Sequence, residues 1–117
     1  MVVFGSGKPL RQFIFSVDLG KLVIWALENY TDTQQPLMLC TDPQDEISIG
    51  DLAQIVADAM GVKGIEFEVT KSDGQFKKTA SNAKLRSLNP DFAFASLHSA
   101  IRLTCDWFNA NYSSIRK

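Results

Sequence analysis

The chain is poor in the side chains that ligate metals or form cross-links. Its 117 residues include one histidine and two cysteines. His98, set among Phe94, Leu97 and Ile101, reads as a helix-surface residue, so no metal site is expected. Cys40 and Cys105 sit in apolar surroundings without a CxxC spacing, which favours two buried thiols over a disulfide or redox pair. Charge of one sign is also lacking: 12 basic and 13 acidic residues leave a formal net charge of −1, without the basic footprint of a nucleic-acid binder. No apolar run approaches the ~20 residues needed to cross a bilayer, and nothing resembles a signal peptide, so no membrane partner and a cytoplasmic location are expected. Internal repeats and low-complexity segments are missing. So is a Gly-x-x-Gly-x-x-Gly turn between a strand and a helix, where helix amides could meet a dinucleotide pyrophosphate. Gly5-Ser-Gly7 is followed by Pro9 and a strand-like run instead.

What is present suits one domain over residues 1–117. At 45% hydrophobic the chain can build a core without disulfides, burying roughly two-thirds of the surface its unfolded form exposes. The pattern is α/β, with a short sheet and three main helices. Residues 13–15 read as a short apolar strand. Asp18 is placed to cap a helix reaching about Asn29, with Leu19, Leu22, Val23, Ala26 and Leu27 on one face. A polar linker, Tyr30 to Pro36, leads to a buried strand over residues 37–40. Ser48 with Asp51 three residues on resembles a capping box. The stripe Leu52, Ile55, Val56, Ala59 and Met60 then stops at Gly61, a natural C-cap. Residues 65–69 alternate as a half-exposed strand, residues 82–88 suit a short helix, and Ser96 caps a last helix presenting Ala100, Ile101, Leu103, Thr104, Trp107 and Phe108.

Two runs carry the chemistry: Phe4-Gly-Ser-Gly-Lys-Pro-Leu-Arg-Gln-Phe13 and Lys71-Ser-Asp-Gly-Gln-Phe-Lys-Lys-Thr79. Each sets glycines beside an Asp or a cation, a combination suited to a phosphorylated or hydroxylated ligand. Pro9 fixes φ shortly before Arg11, whose planar fork matches a phosphate in a way lysine cannot copy. Asp73-Gly74 is a turn signal, and Asp73 can accept from sugar hydroxyls or a base edge. Lys77 and Lys78 follow as point charges. About sixty residues apart, the runs can meet only through the fold. Other uses stay open: Arg11 bracing Asp18 or a helix end, Phe4 as core packing, and Lys78, Lys71, Lys77 and Lys84 as solvated charges.

Together, and with Ser16-Val-Asp-Leu19, Glu46-Ile-Ser-Ile49 and Trp107-Phe108, these runs resemble the C-terminal part of the GDP-L-fucose synthases, extended members of the short-chain dehydrogenase/reductase superfamily. The opening run is shared widely in that superfamily, whereas the run from 71 to 82 is much more specific. The resemblance implies a small substrate-binding domain separated from its Rossmann domain. It implies a GDP-linked 4-keto-6-deoxy sugar as substrate and NADPH as cofactor of the full-length enzyme, with none bound by this portion. Phe4, Arg11, Asp73 and Lys78 match substrate-binding positions, although the family usually has tryptophan where Phe4 stands. Arg11 and Lys78 are expected near the diphosphate and Asp73 on ribose hydroxyls. The family's catalytic tyrosine, with a lysine four residues on, has no counterpart: Gln34 follows Tyr30 and Arg116 follows Tyr112 at that spacing. No catalytic residue is therefore expected here, and Met1 fits an engineered or alternative start. The implied partners are the missing N-terminal domain and, for the parent, a second copy in a homodimer. The alternatives are the equivalent domain of another nucleotide-sugar epimerase or reductase, and a non-enzymatic interaction module of the same fold.

Overall fold

A computed structural model describes residues 1–32 and 34–115. Thr33 in the polar linker, and Arg116 of the Tyr112 pairing, lie outside the described residues. The strands are short and fall into two sheets. In the first, β1 (Val2–Phe4) runs parallel to β4 (Glu66–Glu68). In the second, β2 (Leu10–Arg11) lies between β3 (Ile47–Ser48), antiparallel to it, and β5 (Lys77–Lys78), parallel to it. Two parallel pairings therefore lie in series, and the connection from β1 to β2 runs beside the connection from β4 to β5.

Four α-helices and a single 3-10 turn over Pro43–Asp45 complete the described elements: α1 (Ser16–Asn29), α2 (Ile49–Met60), α3 (Ala83–Leu88) and α4 (Leu97–Asn111). The Ser48 hydroxyl accepts from the Asp51 amide and donates to its carboxylate, closing the expected capping motif in variant form. Gly61 ends α2 at φ +66°, a left-handed conformation that costs glycine little. Ser96 caps α4 by accepting from the Ser99 amide. Packing of α2 on α4 supplies much of the core, where Ala53, Ala57, Ala100, Ile101 and Cys105 are buried. Both cysteines are free thiols, but only Cys105 is buried, and Cys40 is half-buried.

Several expectations need correction. Residues 13–15 form no strand, because the ladder passes from backbone to side chain just before them. The Gln12 amide donates to the Thr41 and Ala80 carbonyls and accepts from the Ala80 amide at 2.7 Å, doing a strand's pairing with one residue. Residues 37–40 are likewise irregular and pair with no strand among the described residues. Asp18 is not the cap of α1. The helix starts earlier, with Phe15 at the cap position, and Asp18 lies in the first turn, almost fully buried. Its carboxylate accepts from the Ala95 amide at 2.8 Å, tying α1 to the segment that enters α4.

The apolar faces also differ from their periodicity. Of the apolar residues of α1 only Leu22 is buried, while Leu19, Val23 and Leu27 are exposed. Leu103 and Trp107 of α4 are exposed too. Periodicity identifies a face that can be buried and does not supply its partner.

Candidate functional site

The two glycine-bearing runs meet along their length. At the β1 end, Phe4 pairs with Glu68 in the ladder, and the Gly5 amide donates to the Glu68 carbonyl at 3.0 Å. Just beyond, the Asp73 carboxylate receives both the Ser6 amide at 2.5 Å and the Ser6 hydroxyl at 2.7 Å. Gly5 has φ +86°, and a Cβ there would collide with the Asp73 carboxylate, so the contact depends on glycine. At the far end, Leu10 registers with Lys77 and Arg11 with Lys78. The Arg11 guanidinium donates to the Gln75 carbonyl at 2.7 Å, to the Leu10 carbonyl at 2.6 Å and to the Phe76 carbonyl at 3.4 Å. The two loops form one ledge, clasped by a carboxylate at one end and a guanidinium at the other.

Each anticipated site residue has a definite place on this ledge. Arg11 is half-buried and Lys78 is exposed. Because they are registered neighbours on parallel strands, the pleat turns both side chains to the same face. Arg11 braces the loop carbonyls and not Asp18 or a helix end. Asp73 is exposed, with a carboxyl held below the usual range by the Ser6 hydroxyl and amide and, less strongly, by the Lys8 charge. An ionised carboxylate offers about four acceptor sites, of which Ser6 uses two. Phe4 is 70% exposed and so is not core packing. The Lys71 ammonium stands 5.9 Å from its ring centroid, a cation–π contact at the rim of the ledge.

Two lysines read as solvated are engaged elsewhere. Lys77 pairs with Glu46 at 3.2 Å. Burial works to raise the Glu46 pKa, but the Thr79 hydroxyl and Lys77 outweigh it, and the carboxyl titrates low. Lys84 donates to the Tyr30 hydroxyl at 2.5 Å and to Asp32 at 3.1 Å, fastening Tyr30 and Asp32 to α3. The Tyr30 contact, with help from Asp32, raises the Lys84 pKa and keeps the ammonium charged. The sequence reading also passed over Ser6, Gln12 and the fork in which Arg86 donates to both oxygens of Asp42, at 2.8 and 2.5 Å. Ser6 had a signal, a hydroxyl between two glycines, but its partner is 67 residues away.

Gly5-Ser-Gly7 joins β1 to β2 with no helix N-terminus after it, and no group of His, Cys, Asp or Glu side chains among the described residues could hold a metal ion. No protein-family model matches the chain. It is 49% identical over 118 residues to a GDP-L-fucose synthase from Dictyostelium discoideum, covering all of this chain and 37% of that protein. It is 50% identical over 116 residues to a probable GDP-L-fucose synthase from Drosophila melanogaster, covering 98% of this chain and 36% of that one. Among solved structures, a GDP-L-fucose synthetase from Naegleria fowleri bound to NADP superposes with a TM-score of 0.95 at 48% identity, over 99% of this chain and 36% of that one. The chain thus spans little more than a third of the length of these relatives. By its sequence and its superposition the chain belongs to the GDP-L-fucose synthase family of extended short-chain dehydrogenase/reductases and matches the C-terminal part of that fold.

Proposed function

We propose that this chain is the GDP-sugar-binding part of a GDP-L-fucose synthase, the enzyme that epimerises and then reduces GDP-4-keto-6-deoxy-D-mannose. The observation that carries this reading is the registered pair Arg11 and Lys78 on one face of the ledge, within a few ångströms of backbone separation. Two cations on one face suit a diphosphate, whose charge is costly to bury unpaired. Asp73, ionised and exposed two residues before Gln75, offers acceptors for ribose hydroxyls. NADPH would supply the hydride that reduces the keto group, and it would be held by the part of the enzyme this chain does not span. In this reading the ledge's task is to bind and orient.

The remaining part of the enzyme also explains a surface that this chain leaves open. Val17, Val23, Ile24 and Leu27 of α1 are exposed, Leu27 by 82%, and residues 37–40, which read as a strand, pair with none among the described residues. An apolar helix face and an unpaired strand-like segment suit docking by the cofactor-binding portion, as interdomain seams of roughly 600–1,500 Å² do. The face around Phe4 and Phe76, exposed by 70% and 62%, adds to the apolar surface at the ledge. A second copy of the chain is the competing occupant of the α1 face.

Calorimetric titration of the full-length protein with GDP, UDP and dTDP sugars tests the function. Preference for GDP is expected; equal affinity for all three would move the chain to another nucleotide-sugar enzyme. The chain by itself should not oxidise NADPH with the keto-sugar, and saturable turnover by these 117 residues alone would overturn the division of labour.

A further inference from the structure

We infer that Ser6 is a positioning residue: through its amide and hydroxyl it sets where the Asp73 carboxylate stands on the ligand ledge. The inference rests on the GDP-sugar reading above and adds a residue to it. Both Asp73 oxygens are engaged by the same residue, Oδ1 by the Ser6 amide and Oδ2 by the Ser6 hydroxyl. The hydroxyl's own direction is fixed, because its oxygen accepts from the Lys8 amide at 3.2 Å and its proton is left for Asp73. Gly5, next to it, is the residue whose missing Cβ lets the carboxylate approach. Gly74 follows at φ +67°, with its amide donating to the Ser72 hydroxyl at 3.1 Å, so the turn that carries Asp73 is shaped on both sides.

The arrangement has a chemical consequence. Two charge-assisted donors stabilise the carboxylate over the acid, so Asp73 remains an acceptor-only group at neutral pH. The charged group acting on it from the facing loop is Lys8. Asp73 is exposed, and the lone pairs that Ser6 leaves free are available to ligand hydroxyls. Without Ser6 the carboxylate would keep its charge near neutral pH but lose its fixed place, and a diol would have to order it on binding.

Three variants of the full-length protein test this. Ser6→Ala should weaken GDP binding about five- to tenfold and leave inorganic diphosphate unchanged, since the cations that meet diphosphate are untouched. Ser6→Thr, which keeps the hydroxyl, should recover most of the loss. In an Asp73→Asn background, Ser6→Ala should add no further loss, as two members of one contact are not additive. Carbon-13 titration of Asp73 gives an independent readout: its pKa should rise toward the ordinary value in Ser6→Ala. Wild-type GDP affinity in Ser6→Ala, equal losses for GDP and diphosphate, or an unmoved Asp73 titration would each overturn the inference. If the unsubstituted protein binds no GDP, the GDP-sugar reading falls. The Asp73 titration still decides whether Ser6 sets the carboxylate.

Discussion

The ledge and the α1 face are built on opposite terms. Every strong contact of the ledge has both partners within the chain: Ser6 with Asp73, Arg11 with the Gln75 and Phe76 carbonyls, β2 with β5. The α1 face has apolar residues of the right period and, Leu22 apart, almost nothing of this chain over them. Polar contacts are directional and saturable, so a ledge made of them can be complete within a short stretch of fold. An apolar face depends on area and needs the surface that covers it. The contacts of the ledge are thus self-contained, whereas the apolar residues of α1 are left largely uncovered by the described residues.

Substitutions can break this comparison, beginning with the largest effect. Leu22, fully buried, is the apolar anchor of α1, and Leu22→Ala should cost about 2–5 kcal/mol in denaturant unfolding. A smaller loss would mean that α1 is loosely held even at its anchor. Arg11→Ala should reduce GDP affinity about ten- to a hundredfold in calorimetry, with Arg11→Lys recovering only part, because an ammonium cannot bridge the loop carbonyls as a fork does. Full recovery by lysine would mean that its charge alone matters and the clasp does not.

Asp42 gives a pH test outside both regions. The Arg86 contact, aided by Asn82, holds its carboxyl below the usual range against the opposing effect of burial. A depressed folded pKa gives stability that is present above the unfolded value, near 3.8, and is lost as the pH falls through the folded value. Asp42→Asn should therefore destabilise the protein by about 1–2 kcal/mol at neutral pH, allowing for the pair's partial exposure, and the difference should shrink in acid unfolding below about pH 4. A difference independent of pH would remove the ionic part of this account. The smallest effect belongs to the open face. Leu27→Ser should change stability by less than about 0.5 kcal/mol yet reduce self-association of the isolated chain in sedimentation. Unchanged association would place the sticky surface elsewhere, with Phe4 and Phe76 the next candidates.

How much of this was legible in the sequence followed the range of each interaction. Ser48, Gly61 and Ser96 act on residues within a turn of themselves, and each ends or starts its helix as its type dictates. Of the alternating residues 65–69, Glu66–Glu68 form β4, but burial does not follow the alternation: Phe67 and Val69 are exposed and Glu68 is half-buried. Residues 13–15 failed as a strand because the Gln12 side chain took over the pairing, an option that β-propensity does not register. Asp18 has the right type for a cap, but a distant amide, that of Ala95, claimed it. The four site residues could be picked out only through resemblance. Their chemistry was readable, yet that Arg11 would stand beside Lys78 and that Phe4 would be exposed depended on pairings across most of the chain.

Those pairings also govern when the ledge can exist. Ser6 and Asp73 are 67 residues apart, and both parallel ladders join residues from opposite sides of α1 and α2. A contact of that separation must close a long loop before it returns any stabilisation, whereas α2 with its local caps needs no such closure. The ledge should therefore assemble after the helices and, in the absence of ligand, open before them. Native-state hydrogen exchange should find the Ser6 and Leu10 amides faster than the interior amides of α2, and GDP should slow the first group selectively. The ligand would then act as the last strap of the fold, closing a loop that the backbone alone holds with only a few bonds.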